Sequence, residues 1–242
     1  MRIGLIADIH GNHVALQQVL DSLARESVDL ILCAGDVAGL GPAPSACIRT
    51  LRDAGIATVR GNVDRWMVEG IDPDTSTPVA ELTTWVNAHL SSAEHEWLRS
   101  LPTTRQIDTP AGPLTLVHST PNDDSITVAA VTPDDVLERW FAQIPDGIVV
   151  GGHTHVQLHR QTTRHLLLNP GSVGLPGTGP GTPDLPQHTR VRWAEYAVLD
   201  VSSDQRTVSF RRIPLDLNEV LAGAHAADMP HIDWWLSRWD TP

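Results

Sequence analysis

Asp8, His10, Asp36, Asn62, His118, His153 and His155 are the side chains of this chain whose types and spacing could do chemistry. Carboxylates, imidazoles and an amide oxygen form a mixed donor set that suits Mn²⁺, Fe²⁺, Zn²⁺ or Ni²⁺, whereas a calcium site would be all oxygen. Taken singly, most of these motifs have ordinary explanations. An Asp-x-His is commonly a helix-capping aspartate beside a surface histidine, and the Gly35-Asp36 and Gly61-Asn62 pairs are what turns favour. His118 alone reads as a buried, hydrogen-bonded histidine. Gly152-His153-Thr154-His155 is more telling, because two histidines one residue apart can both reach an ion from one loop. The set points to a metal centre because each member comes just after an apolar run.

Those runs are the elements that must position them. Arg2 to Ala7 predicts a strand, and Val14, Leu16, Val19, Leu20 and Leu23 follow at helical spacing. Leu30 to Ala34 predicts a second strand, then come a Gly/Pro loop, a helix from near Pro44 to Gly55, and a third strand over Ile56 to Val59. This alternation predicts an α/β fold with a largely parallel sheet, whose C-terminal strand ends converge on one rim where such folds place their sites. Leu114 to Val117 and Ile148 to Gly151 predict strands that end at His118 and His153, separated by a helix opened by Thr132, Pro133 and Asp135. Thr77 to Leu101 predicts a pair of helices over one edge of the site, with Pro78 in a first turn and Ser91 and Glu94 in capping-box register. Further strands are expected at Leu166 to Leu168, Tyr196 to Val201 and Val208 to Ile213. Pro170 to Pro186 is a Gly/Pro-dense loop, and 214–242 is a helical tail anchored by Trp234, Trp235 and Trp239. At 242 residues, a single domain over 1–242 is expected.

In this order, Asp8-x-His10, Gly35-Asp36, Gly61-Asn62, His118 and Gly152-His153-Thr154-His155 resemble the motif series of calcineurin-like metallophosphoesterases. Asn169-Pro170-Gly171-Ser172-Val173-Gly174 extends the resemblance to the small bacterial and archaeal phosphodiesterase branch of that superfamily. The resemblance implies a four-layer α/β/β/α sandwich with a helical elaboration near the site. It implies that Asp8, His10, Asp36 and His155 hold one divalent ion while Asp36, Asn62, His118 and His153 hold the other, with Asp36 bridging. Manganese is the expected metal. Two ions roughly 3.5–4 Å apart polarise phosphoryl oxygens and generate hydroxide at neutral pH. Their charge outweighs that of the carboxylates, so an otherwise acidic protein can bind phosphate locally.

The expected activity is therefore hydrolysis of a phosphodiester, phosphomonoester or phosphoanhydride bond of a small molecule, a nucleotide among the candidates, through a hydroxide bridging two metals. Catalytic roles fall to Asp36, Asn62 and His13. The family's third motif usually places a histidine after Gly-Asn to protonate the leaving group, but this chain reads Gly61-Asn62-Val63-Asp64. Valine has no proton to give, and His13 is the substitute closest in sequence to a ligand. Asp64 could orient a ligand or simply occupy a surface turn, and Arg60 could pair with substrate phosphate or be solvated.

Composition narrows the alternatives. The chain has 29 Asp and Glu against 17 Lys and Arg, a formal net charge of −12. A duplex-binding surface needs a basic footprint, so neither duplex nucleic acid nor a DNA-nuclease role is expected. Cys33 and Cys47 lack the spacing of a disulfide framework, and the N-terminal apolar run reaches Asp8 too early for a signal or membrane segment. A cytoplasmic, membrane-free protein acting on a small phosphorylated substrate is expected. The rival reading is a non-catalytic metal-binding interaction module of the same fold. The complete ligand set disfavours it, since buried carboxylates and imidazoles are costly without a metal.

Overall fold

The structure is a computed structural model that describes residues 1–177 and 191–239. The chain opens with β1 (Arg2–Ile6), α1 (His13–Arg25), β2 (Leu30–Cys33), α2 (Pro44–Asp53), β3 (Ala57–Thr58) and α3 (Asn62–Glu69). α4 (Thr77–His89), α5 (Ser92–Ser100), β4 (Thr104–Thr109), β5 (Gly112–Val117) and α6 (Asp134–Trp140) follow. β6 (Gly147–Val150), β7 (Leu158–Gln161) and β8 (His165–Asn169) come next, then β9 (Trp193–Val201), β10 (Arg206–Pro214), α7 (Leu217–Ala226) and α8 (Ile232–Leu236).

The described strands form two five-stranded sheets, ordered β10-β9-β1-β2-β3 and β4-β5-β6-β8-β7. β1, β2 and β3 run parallel, with Ile6 opposite Cys33 and Cys33 opposite Thr58, so these three strands end together. β5, β6 and β8 are parallel in the second sheet, with Leu116 opposite Val150 and Val150 opposite Leu168. Period-two alternation assigns each strand's two faces to different layers. Ile3 and Leu5 of β1 meet Leu114, Leu116, Ile148, Val150, Leu166 and Leu168 between the sheets. Ile6, Tyr196 and Val198 face the other way, onto the helical residues Leu16, Val19, Leu51, Val220 and Trp235. Val117, Val149 and Leu167 face Leu137 and Phe141 on and just after α6. The result is the four-layer α/β/β/α sandwich.

The helices at 77–101 form as expected. α5 opens on a capping box in which Ser91 Oγ accepts from Glu94 N and Glu94 accepts from Ser91 N. Other expectations need correction. The third strand is two residues rather than four, although Val59 N still bonds to Cys33 O. Gly61-Asn62 is not a free turn but the start of α3, and β4 and β7 are edge strands that the sequence reading did not anticipate. Of the 170–186 loop, residues 178–186 lie outside the described residues, as do 240–242 of the tail. In that tail Trp235 and Trp239 are fully buried and Trp234 is half-buried.

Candidate metal centre

The site lies where β1, β2, β3, β5 and β6 end. Past the strands the backbone keeps pairing: Asp8 N bonds to Gly35 O at 3.0 Å, His10 N to Asp36 O at 2.9 Å and Gly152 N to His118 O at 2.7 Å. Five of the seven expected ligands, Asp8, His10, Asp36, His153 and His155, have positive φ, between 47° and 68°. Few non-glycine residues adopt this left-handed conformation, and each costs of order 1–3 kcal/mol unless its surroundings fix it. Clustering of that conformation at one rim is what a site that must aim side chains inward requires.

All seven expected residues come together, and all are buried. Asp36 Oδ2 lies 3.7 Å from His10 Nε2 and 3.4 Å from His118 Nε2, so its carboxylate stands between the two expected ligand groups. Asn62 Oδ1 is 3.0 Å from His118 Nε2 and 3.1 Å from His153 Nδ1. Asp8 Oδ1 is 3.6 Å from His155 Nε2, and His10 Nε2 is 2.9 Å from His155 Nε2. Donor atoms of Asp8, His10 and His155 cluster within one ion's reach, as do those of Asp8, Asp36 and His118. Asp8 therefore borders both groups, where the sequence reading gave it to one.

The surrounding groups decide which atoms face inward. His118 Nδ1 lies 2.6 Å from Ala34 O and His155 Nδ1 lies 2.6 Å from Leu175 O, so each ring donates outward and turns Nε2 to the cluster. The Asn169–Gly174 segment is the scaffold for this. Ser172 Oγ donates to Asp8 O at 2.7 Å, Asn169 Nδ2 donates to Thr154 Oγ1 at 3.1 Å, and Gly174 N donates to Asp8 O at 3.0 Å. A Cβ at Gly174 would stand 1.7 Å from Ile9 O, so only glycine lets this strap close over the first loop. Gly61 plays the same part against Asp36, whose Oδ1 would stand 2.1 Å from a Cβ there.

Asp64 does not lie in a surface turn. It is fully buried and accepts from Val37 N (2.9 Å), Ala38 N (3.2 Å) and Gly61 N (3.1 Å). One carboxylate thus holds the loop after Asp36 and caps the helix that starts at Asn62. Its spacing three residues after Gly61 was the available signal. His13 is not brought to the cluster: its Nε2 lies 3.0 Å from Thr50 Oγ1 and 3.1 Å from Gln17 Nε2. Position 13 opens α1, which turns its side chain toward α2 despite its closeness to His10 in sequence. Val63 packs in the hydrophobic core, against Gly39, while its backbone N donates to Asp36 Oδ1 at 2.9 Å. Arg60 pairs with Glu69 at 2.9 Å and borders a cavity of about 700 Å³ that His118 also lines.

Electrostatics mark the cluster as a cation site. Burial raises the Asp8 carboxyl well above the usual range, and the Asp36 charge adds to that. Burial works the same way on Asp36, but the neighbouring His118 charge and hydrogen bond outweigh it and hold the carboxyl far below the usual range. Burial opposes protonation of His118, yet Asp36 lifts its pKa to about 10. Burial and the His118 charge push His153 down to about 4, and burial pushes His155 well down. The raised His118 and the depressed Asp36 together show that positive charge is favoured among these carboxylates. Asp8 Oδ2 is buried with no hydrogen-bond partner. An acceptor-rich, buried cluster with an orphaned carboxylate oxygen fits divalent ions, whose binding displaces protons from such ligands.

Comparison with known proteins agrees with this geometry. The family described as the calcineurin-like phosphoesterase superfamily domain matches residues 1–204. A metallophosphoesterase of known structure from Sphaerobacter thermophilus is similar over 98% of this chain and 100% of its own, with 27% identity and a TM-score of 0.75. A hypothetical protein from Pyrococcus horikoshii OT3 shares the fold, at 17% identity and a TM-score of 0.77, covering 95% of this chain and 94% of that one. An uncharacterized protein of Methanocaldococcus jannaschii is 27% identical over 194 residues, 73% of this chain and 78% of its own length.

Proposed function

Since the chain belongs to the calcineurin-like phosphoesterase superfamily, we propose that it is a phosphoric ester hydrolase using two divalent ions, Mn²⁺ being the metal proposed, on a small phosphorylated molecule. The observation that carries this reading is the meeting of seven ligand-type side chains from five strand-end loops in one buried cluster. Asp8, His10, Asp36 and His155 would hold one ion, and Asp36, Asn62, His118 and His153 the other. Such a pair supplies Lewis acidity toward phosphoryl oxygens and activates the attacking water.

The chain's own residues do the rest. Ala34 O and Leu175 O fix the tautomers of His118 and His155, so that Nε2 of each presents a lone pair. Asp64 holds the loops of Asp36 and Asn62 in register with each other. No helix among the described residues is long and apolar enough to cross a membrane.

Departure of the leaving group is where the chain gives least help. Val63 is apolar and His13 is directed to Thr50, so neither position supplies an acid. A positioned acid is worth about 10²- to 10⁴-fold to a poor leaving group. The manganese-loaded protein is therefore expected to hydrolyse aryl phosphodiesters about 10²-fold or more faster than matched alkyl diesters. His13→Ala should leave that ratio unchanged. Steady-state rates across a leaving-group series are the test, and absence of turnover on every ester in the series would overturn the proposed activity.

A further inference from the structure

A second cavity, of about 320 Å³, opens beside the proposed centre between α3 and the start of α4. Asn62 and His153 form its inner wall, Trp66 and Val79 its apolar sides, and Asp72 and Asp74 its acidic outer part. Hydroxyl side chains complete the lining, and no lysine or arginine among the described residues lines it. The larger cavity on the His118 side differs, because Arg60 and Arg65 both line it.

The two acidic residues are not equivalent. Both carboxylate oxygens of Asp72 lie 3.0 Å from the Arg65 guanidinium, which also holds Asp124, so the Asp72 charge is answered within the protein. Asp74 is exposed at the cavity mouth and has no ion-pair or hydrogen-bond partner among the described residues. The Trp66 indole is buried in the cavity wall, and its N–H faces the Asp72 carboxylate, whose pKa it helps Arg65 to lower. An indole wall and an unanswered carboxylate lining one cavity suit an organic ammonium group and repel an anionic one.

We propose that this cavity is a subsite for one ester substituent of the substrate, and that it selects a cationic amino-alcohol arm over an anionic arm. The inference rests on the phosphoesterase reading, because it is the proximity of Asn62 and His153 that puts the reacting phosphorus at the inner end. A polyphosphate chain or a second carboxylate would lie against Asp74 with no basic side chain among the described residues of the lining to answer it.

The test is equilibrium binding to the manganese-loaded full chain, by calorimetry, using phosphate monoesters that differ only in the far end. Phosphocholine supplies a cation, 3,3-dimethylbutyl phosphate is its uncharged isostere, and the phosphate ester of 3-hydroxypropionate supplies an anion. Affinity is expected to fall in that order. Asp74→Lys changes an exposed residue outside the seven-residue ligand cluster, and should shrink the cation-to-anion affinity ratio about tenfold, since its weak exposed pairings with the cationic and the anionic arm change sign together. Inorganic phosphate is the control and should bind wild type and variant alike. A flat affinity series, or a ratio unmoved by Asp74→Lys, with phosphate still bound, overturns the subsite alone. Failure of the loaded protein to bind phosphate at all overturns both the subsite and the reading on which it rests.

Discussion

Asp36→Asn is expected to lower turnover of an aryl phosphodiester at least ~10³-fold, because the Lewis acidity at stake is worth several kcal/mol and each 1.36 kcal/mol is a factor of ten. The reason is position: Asp36 Oδ2 stands between His10 Nε2 and His118 Nε2, at 3.7 and 3.4 Å, so its charge serves both ligand groups. Asparagine keeps the volume and can still accept from Val63 N through Oδ1. What it loses is the negative charge, and it turns an amide donor toward imidazoles whose lone pairs are needed for metal. Metal content should therefore fall at both sites. Asp8→Asn should chiefly deplete the site shared with His155, which lies 3.6 Å away, with a smaller effect on the group it borders through Asp36 and His118. Elemental analysis of the two purified variants, paired with steady-state rates, separates these outcomes. Unchanged metal content in Asp36→Asn would remove this residue from the bridging position.

The second large effect is on stability rather than on the reacting groups. Asp64→Ala strips the acceptor from three buried N–H groups, those of Val37, Ala38 and Gly61. Each unsatisfied buried donor costs about 1–3 kcal/mol, and allowing for relaxation the variant should lose about 3–5 kcal/mol of unfolding free energy. One term acts in the opposite direction. Burial, with the Asp36 charge, lifts the Asp64 carboxyl to about 7, so keeping it ionised in the native protein is itself costly. Asp64→Asn retains one acceptor oxygen, and should recover a large part of the loss. Denaturant unfolding of wild type, Asp64→Asn and Asp64→Ala should rank stability in that order. Metal content should fall along the same series, since Asp64 ties the loop after Asp36 to the start of the Asn62 helix. An alanine variant as stable as wild type would show that water or backbone rearrangement satisfies those donors instead.

The division between what the sequence disclosed and what it concealed follows physical lines. The ligand positions were readable because each follows a short apolar run, and runs such as Leu114–Val117 and Ile148–Val150 are what a strand buried on both faces must look like. The left-handed backbone at Asp8, His10, Asp36, His153 and His155 was not readable, because it depends on loop-to-loop pairing such as His10 N to Asp36 O. The Asn62–Glu69 helix was hidden for a related reason. Gly61-Asn62 has the composition of a turn, and the helix is stabilised at its start by Asp64 on Gly61 N and by packing of Trp66 and Met67 into the core. The edge strands Thr104–Thr109 and Leu158–Gln161 alternate with polar or charged residues, so burial gave no continuous signal.

His13 shows the opposite error. Nearness in sequence to His10 was read as nearness in space, but a helix beginning at residue 13 sets its side chain by helical geometry, here toward Thr50 and Gln17. Asp64, expected either to orient a ligand or to occupy a surface turn, is fully buried and so is not a surface turn carboxylate. It acts through Val37, Ala38 and Gly61 N–H groups rather than through a ligand side chain.

The seven-residue cluster is proposed to hold the divalent ions on which hydrolysis depends. Chelator-stripped protein, reconstituted with Mn²⁺ and followed by parallel metal analysis and aryl phosphodiesterase assay, tests it most directly. Two equivalents of metal per chain are expected when loaded, with loss of activity on stripping and its return as the second equivalent binds. Full activity in metal-free protein would contradict it.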